Sequence, residues 1–122
     1  MVKGIVRKNR PLINLIVEWK LRTKEIVALV DTGFTGELKL SPQEVLDLEI
    51  DITHAESIVL GNEKTAQMFA GIASVYMEGI KNDVNVLVSG GIPTIGVGLL
   101  KRFGYNLNID FKNDSLVLQK YI

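Results

Sequence analysis

The sequence predicts a mostly β fold with two short helices. Its apolar residues fall into short alternating or continuous runs of the kind that form strands, at 13–21, 26–30, 57–60, 66–78 and 83–88. Turn-forming residues separate most of these runs. Only two segments carry helix signals, an N-cap at one and a C-terminal glycine at the other.

Size and composition indicate one globular domain spanning residues 1–122. The chain has 122 residues, of which 47% are hydrophobic and 23% are charged. It contains no cysteine, which excludes disulfides, thiolate metal sites and cysteine nucleophiles. Lys plus Arg and Asp plus Glu both number 14, and a chain without a basic excess is not expected to bind nucleic acid.

No run approaches the roughly 18 apolar residues of a transmembrane helix. The first ten residues also lack the apolar core of a signal peptide. We therefore expect a cytoplasmic protein that does not enter a membrane.

The first two strands are expected at 13–21 and 26–30. In the first strand, alternation places five apolar side chains on one face, those of Ile13, Leu15, Val17, Trp19 and Leu21. The second strand is continuously apolar, which predicts burial on both faces. Residues 22–24 are expected to form the turn between the two strands.

Capping signals define the two helices. Ser41 and Glu44 match a capping box, which predicts a helix over 42–48. A second helix over 97–103 is expected to end at Gly104, because glycine adopts the left-handed conformation that ends many helices.

Three turns are expected among the remaining strands. They fall at 61–64, 79–82 and 112–114, and the last joins strands at 106–111 and 115–119 into a hairpin. The turn at 61–64 is polar and is expected to be an exposed hairpin tip.

The strongest chemical signal is Asp31-Thr32-Gly33 at the end of the second strand. A carboxylate at the end of a buried strand is costly unless it is hydrogen-bonded or functional. The alternative is a plain turn, because Asp and Gly are both turn formers.

The surrounding sequence carries a family resemblance. The stretch from Ala28 to Gly36 resembles the active-site segment of aspartic peptidases, in which an apolar strand runs into Asp-Thr-Gly. The stretch from Thr94 to Gly104 resembles the second signature of the retropepsin group, an Ile-Gly loop that enters a helix with a Leu-Leu pair. The chain thus resembles retropepsin-like single-domain aspartic peptidases, most closely the small prokaryotic type.

This resemblance implies a closed, barrel-like acid-protease half that works as a homodimer and needs no cofactor or metal. Aspartic peptidases use two carboxylates that share a proton. This chain has one Asp-Thr-Gly, and none of its other aspartates precedes Thr-Gly or Ser-Gly. The implied activity is hydrolysis of an extended peptide or protein by a water held between two Asp31 carboxylates, one from each subunit.

The resemblance also assigns individual residues. Asp31, Thr32 and Gly33 would form the catalytic loop, with the Thr32 hydroxyl bonding to the partner chain. Ile95-Gly96 would support that loop from behind. Substrate-binding positions would be Leu29, Phe34, Thr35, Ile92 and Thr94, together with Gly61, Asn62 and Glu63 at the tip of a flap. The apolar members suggest an apolar preference next to the scissile bond.

Two departures from the viral members concern this loop. Viral members carry an acidic residue at the position of Thr35 and an arginine at the position of Val97, and these normally pair. Their joint absence implies a different tie between the loop and the second helix. Phe34 replaces a small residue, so it either narrows the cleft or packs against the core.

The main alternative is a dimeric module of the same fold that binds peptides or assembles without useful proteolysis, because fold does not guarantee activity. The intact Asp31-Thr32-Gly33 favours catalysis, since a structural loop has no need of facing carboxylates. Two other readings have little support. Gly91 to Gly96 has the glycine spacing of a phosphate loop but lacks its Lys and Ser/Thr. His54, the one histidine, is expected in a solvated loop.

Overall fold

The computed structural model describes residues 1–59 and 61–121, which form ten strands and two helices. In chain order these are β1 (Val2–Arg7), β2 (Arg10–Trp19), β3 (Arg22–Val30), β4 (Leu38–Leu40), α1 (Pro42–Leu48), β5 (Ile52–Val59), β6 (Thr65–Met77), β7 (Ile80–Val88), β8 (Thr94–Ile95), α2 (Val97–Phe103), β9 (Tyr105–Asp110) and β10 (Ser115–Lys120). The prediction of a mostly β fold with two short helices is confirmed.

All the described strands belong to one hydrogen-bonded sheet, in the order β5-β6-β7-β4-β8-β3-β2-β1-β10-β9. A further pairing of β2 with β6 connects the sheet back onto itself as a ring of strands. Two pairings are parallel, β3 with β8 and β4 with β7. The short strands β4 and β8 therefore hold the end of β3 in the middle of the sheet.

The core is formed by one face of the long strands and by the inner faces of both helices. Its largest fully buried side chains come from β2, β4, α1, β8, α2 and β10, and they are those of Ile13, Leu38, Leu40, Leu48, Ile95, Leu99, Leu116 and Leu118. Elements distant in sequence therefore share one core, which fixes β8 and α2 beside β3.

Both helices have the predicted bounds. The Ser41 hydroxyl accepts a hydrogen bond from the backbone N–H of Glu44, and the Glu44 carboxylate accepts one from the N–H of Ser41. This reciprocal pair is the capping box that the sequence indicated. Gly104 ends α2 in the left-handed conformation, with φ of 75°.

Two predicted turns were placed wrongly. The turn between β2 and β3 consists of Lys20 and Leu21 rather than 22–24, and the turn between β6 and β7 consists of Glu78 and Gly79 rather than 79–82. Two-residue turns with positive φ match the twist of paired strands, and Lys20, Glu78 and Gly79 all have positive φ. Leu21 is therefore fully exposed and does not extend the apolar face of β2.

The prediction that β3 is buried on both faces was also wrong. Val27 is 50% exposed, whereas its neighbours Ile26 and Ala28 are buried, so the strand alternates.

Three strands were not predicted. β1 is interrupted by Lys and Gly and has no apolar run, and β4 and β8 are too short to show a period. β5 begins at Ile52, well before the predicted 57–60, and position 60 lies outside the described residues. The predicted C-terminal hairpin of β9 and β10 is confirmed.

No helix among the residues described is long and apolar enough to cross a membrane.

Hydrogen bonds lower the pKa of two carboxyl groups, those of Asp47 and Asp110. Lys24 and Gln43 donate to Asp47 and thereby lower the pKa of that carboxyl. Asn113 donates to Asp110 from its side chain and backbone and lowers the pKa of Asp110. An unfolded aspartate titrates near about 3.9. The stability from these contacts is therefore present above that pH and is lost as the pH falls through the lower pKa of the folded state.

We expect the free energy of unfolding to fall as the pH drops below about 4 in urea titrations run from about pH 2 to pH 7. Asp110→Asn removes one titrating group and is expected to make that fall shallower. Asp114→Asn is the matched control, because the Asp114 side chain holds no hydrogen bond among the described residues. Parallel curves for Asp110→Asn and the unsubstituted chain would contradict this account.

Candidate active site

Asp31 lies where β3 leaves the sheet. Val30 is buried and pairs with Ile95 of β8, and the backbone N–H of Asp31 donates to the Ile95 carbonyl at 3.0 Å. The next residues, Thr32 and Gly33, are exposed, as is Asp31 itself. The strand β3 thus ends on a buried residue, Val30, and the next residue presents a carboxylate at the surface of the chain.

The loop itself fixes the orientation of this carboxylate. The backbone N–H of Gly33 donates to Asp31 Oδ1 at 2.8 Å, and the N–H of Phe34 donates to the Asp31 carbonyl at 3.1 Å. Asp side chains often bond to the backbone two residues on in this way. A Cβ at Gly33 would lie 3.1 Å from Asp31 Oδ1, so glycine leaves room around the carboxylate.

The start of α2 supports the loop from behind. The N–H of Gly96 donates to the Glu37 carbonyl at 3.1 Å, that of Val97 to the Phe34 carbonyl at 2.9 Å, and that of Gly98 to the Gly36 carbonyl at 3.0 Å. A Cβ at Gly96 would clash with the carbonyl oxygens of Phe34 and Gly36. Position 96 therefore needs glycine for this close approach of two backbones.

A salt bridge provides the tie that the missing viral pair implied. Arg102 of α2 donates from Nε and Nη2 to the Glu37 carboxylate, with Nη2 at 3.1 Å from Oε1. Glu37 Oε1 also accepts the backbone N–H of Asn85 in β7 at 3.1 Å. The hydrogen bond from Arg102 to Glu37 raises the pKa of Arg102. Glu37 thus joins the end of the loop to both α2 and β7.

A cavity of about 230 Å³ opens beside the loop. Its walls come from the loop, from β5 and from β7, and they include Gly33, Phe34, Glu56, Ile58, Asn85 and Leu87. The Phe34 ring packs against Gly36 and Gly96 and is half-buried. Phe34 therefore both packs against the loop and forms one wall of the cavity.

The other sequence-predicted residues lie in two groups away from this cavity. Gly61, Asn62 and Glu63 form the exposed turn between β5 and β6, where Asn62 Oδ1 accepts the N–H of Lys64 at 3.1 Å. Leu29 and Ile92 are half-buried and do not line the cavity.

Thr94 is 2% exposed, and its hydroxyl donates to the Ile92 carbonyl at 3.0 Å. This hydrogen bond shapes the segment that leads into α2.

Sequence reasoning missed four polar residues around the loop, Glu37, Arg102, Glu56 and Asn85. One signal in the sequence pointed to two of them. Viral members pair an acidic residue at position 35 with an arginine at position 97, and because this chain lacks both, some other contact had to join the loop to α2. The sequence placed His54 in a solvated loop, but it lies in β5 and bonds to Glu56.

Loss of the salt bridge is expected to destabilise the chain. Arg102→Gln leaves the Glu37 carboxylate, 14% exposed, without its charged partner, which is expected to lower the free energy of unfolding by about 1–2 kcal/mol. Lys101→Gln removes a neighbouring exposed charge from the same helix and is the control. Equal effects of the two substitutions in urea unfolding would show that the salt bridge contributes nothing.

Comparisons with known proteins identify the architecture. No protein-family model matches the chain, and no curated protein sequence matches it. A retropepsin-like aspartic protease from Rickettsia conorii is similar in structure, with a TM-score of 0.67, 22% identity, and coverage of 98% of this chain and 89% of that chain. EIAV protease, solved with the inhibitor HBY-793, gives a TM-score of 0.61, 16% identity, and coverage of 80% and 90% respectively. The chain therefore has the retropepsin-like single-domain fold.

Proposed function

We propose that the protein is an aspartic endopeptidase that acts as a homodimer, with the two Asp31 carboxylates as the catalytic pair. The observation that carries this proposal is the exposed Asp31 carboxylate, which the Gly33 N–H holds at the end of β3 in a retropepsin-like fold. A turn with a purely structural role would not need to project a carboxylate from this position.

The chemistry requires two carboxyl groups in different protonation states. Like charges about 3 Å apart do not both ionise, so one carboxyl stays protonated and the other acts as the base. The base takes a proton from a water molecule, whose oxygen attacks the carbonyl carbon of the peptide bond. The protonated carboxyl donates to the carbonyl oxygen, and the C–N bond then breaks as the amine takes up a proton.

A second copy of the chain is the proposed source of the second carboxylate. Asp31 and Thr32 are exposed in the protomer, as is Val97 at the start of α2, so the same surface on two copies can meet across a two-fold axis. β1 is already paired on both edges, with β2 and β10 of its own chain. The proposed dimer therefore forms around loop 31–36 rather than by insertion of β1 into a partner.

The substrate in this proposal is an extended peptide. It lies between loop 31–36 and the turn at 61–63, where it pairs with backbone groups as an added strand. Leu29 and Ile92 remain proposed neighbours of the scissile bond, and Phe34 and Thr35 contribute walls from the loop.

Asp31→Asn is expected to reduce the cleavage of a peptide library by at least roughly 100-fold, because the substituted chain loses its general acid and base. Its circular dichroism and sedimentation should match those of the unsubstituted protein, at about twice the 13.5 kDa of one chain. Asp114→Asn, in an exposed turn, is the control and should cleave normally. Undiminished cleavage by Asp31→Asn would refute the proposal, and a peptide-binding dimer that never cleaves would indicate a binding module instead.

The shared proton also predicts the pH profile. One carboxyl must be protonated and the other ionised, so kcat/KM is expected to follow a bell with an acidic optimum. Initial rates between about pH 3 and pH 8, with a statine-type transition-state mimic as inhibitor, would test this expectation. Activity that rises steadily into the alkaline range, or that the mimic leaves unchanged, would point to another chemistry.

A further inference from the structure

The cavity beside loop 31–36 has apolar walls and one polar side. The ring of Phe34 and the side chains of Ile58 and Leu87 form the apolar part. Glu37, Glu56 and Asn85 line the polar part. Because Gly33 lines the cavity and lies two residues from Asp31, a peptide bound at the Asp31 carboxylate could place a side chain in the cavity.

The two acidic residues of the cavity, Glu37 and Glu56, differ in whether a basic side chain pairs with them. Glu37 is paired with Arg102, whose guanidinium donates two hydrogen bonds to it. Glu56 contacts no lysine or arginine among the described residues, and its one ionisable partner is His54. Glu56 therefore leaves an uncompensated negative charge in the cavity when His54 is neutral.

Hydrogen bonds hold Glu56 in a fixed orientation. His54 Nε2 lies 2.8 Å from Glu56 Oε1, and Asn85 Nδ2 donates to the same oxygen at 2.7 Å. Thr53 Oγ1 lies 2.8 Å from the other ring nitrogen of His54 and orients the ring in turn. Among residues 1–59 and 61–121, no donor reaches Glu56 Oε2, so this oxygen remains available to a ligand.

These same contacts also favour the charged form of the Glu56 carboxylate. The hydrogen bond from His54, followed by that from Asn85, lowers the pKa of Glu56. Glu56 therefore stays ionised to a lower pH than a glutamate that lacks these two donors.

We propose that this cavity is a subsite for a lysine or arginine side chain of the substrate, with Glu56 as the residue that determines this specificity. The inference rests on the proposed peptide-binding function. The aliphatic stem of the substrate side chain packs on Ile58 and Leu87, and its cationic head bonds to Glu56 Oε2. An apolar side chain would desolvate Glu56 without pairing it, and an acidic one would repel it.

Binding to the Asp31→Asn protein tests this subsite without any need for cleavage. Peptides that differ only by lysine, norleucine or glutamate at one scanned position are titrated by calorimetry. At one position, the lysine peptide is expected to bind at least about tenfold more tightly than the norleucine peptide. A hydrogen bond to a charged group is strong enough to change a dissociation constant by this factor. Adding Glu56→Gln should bring the ratio of the lysine and norleucine affinities close to one. Adding Glu56→Lys should make the glutamate peptide bind more tightly than the lysine peptide.

Glu25→Gln is the matched control, because Glu25 is exposed on β3 and forms no ion pair among the described residues. It should leave the lysine preference intact. Equal binding of lysine and norleucine at every position would overturn the proposal, as would an unchanged ratio after Glu56→Gln. The lysine preference could also appear although the unsubstituted protein cleaves no peptide. That result would support the subsite and refute only the proposed peptidase activity.

Discussion

The candidate site depends above all on the docking of loop 31–36 against the start of α2. Three backbone hydrogen bonds from residues 96–98 to the loop and its continuation at Glu37 fix its path, and the contact is close enough to require glycine at position 96. With the loop held in this way, the Gly33 N–H can orient the Asp31 carboxylate. A loop free to move would leave that carboxylate without a defined direction, and two copies could not align a pair of them.

A series of polar contacts connects α2 to the hairpin of β5 and β6, which carries the turn at 61–63. Arg102 is joined to Glu37, Glu37 to the backbone of Asn85, and the Asn85 side chain to Glu56 of β5. Each carboxylate in this chain of contacts accepts hydrogen bonds from donors that the fold supplies. The contacts therefore connect α2 to the strand leading to the proposed flap, and they place Glu56 where a substrate side chain would enter.

Local sequence signals predicted the two helices well and the long-range structure poorly. The capping box at Ser41 and the glycine at 104 gave both helices their correct bounds, because caps involve neighbours in sequence. The short strands β4 and β8 form only because the core brings them against β7 and β3, which no local pattern records. The contact between Glu37 and Arg102 likewise joins residues 65 positions apart. The sequence could therefore imply that a contact joins the loop to α2, but it could not identify the two residues.

Mixing subunits tests the central claim most directly, that one active site needs Asp31 from two chains. Unsubstituted chains are exchanged with increasing amounts of Asp31→Asn chains, and total peptide cleavage is measured at constant protein concentration. Since a mixed dimer would carry one carboxylate, the activity is predicted to follow the square of the unsubstituted fraction, while Asp114→Asn chains should cause no loss. A decline in direct proportion to the unsubstituted fraction would show that each chain works alone and would contradict the account.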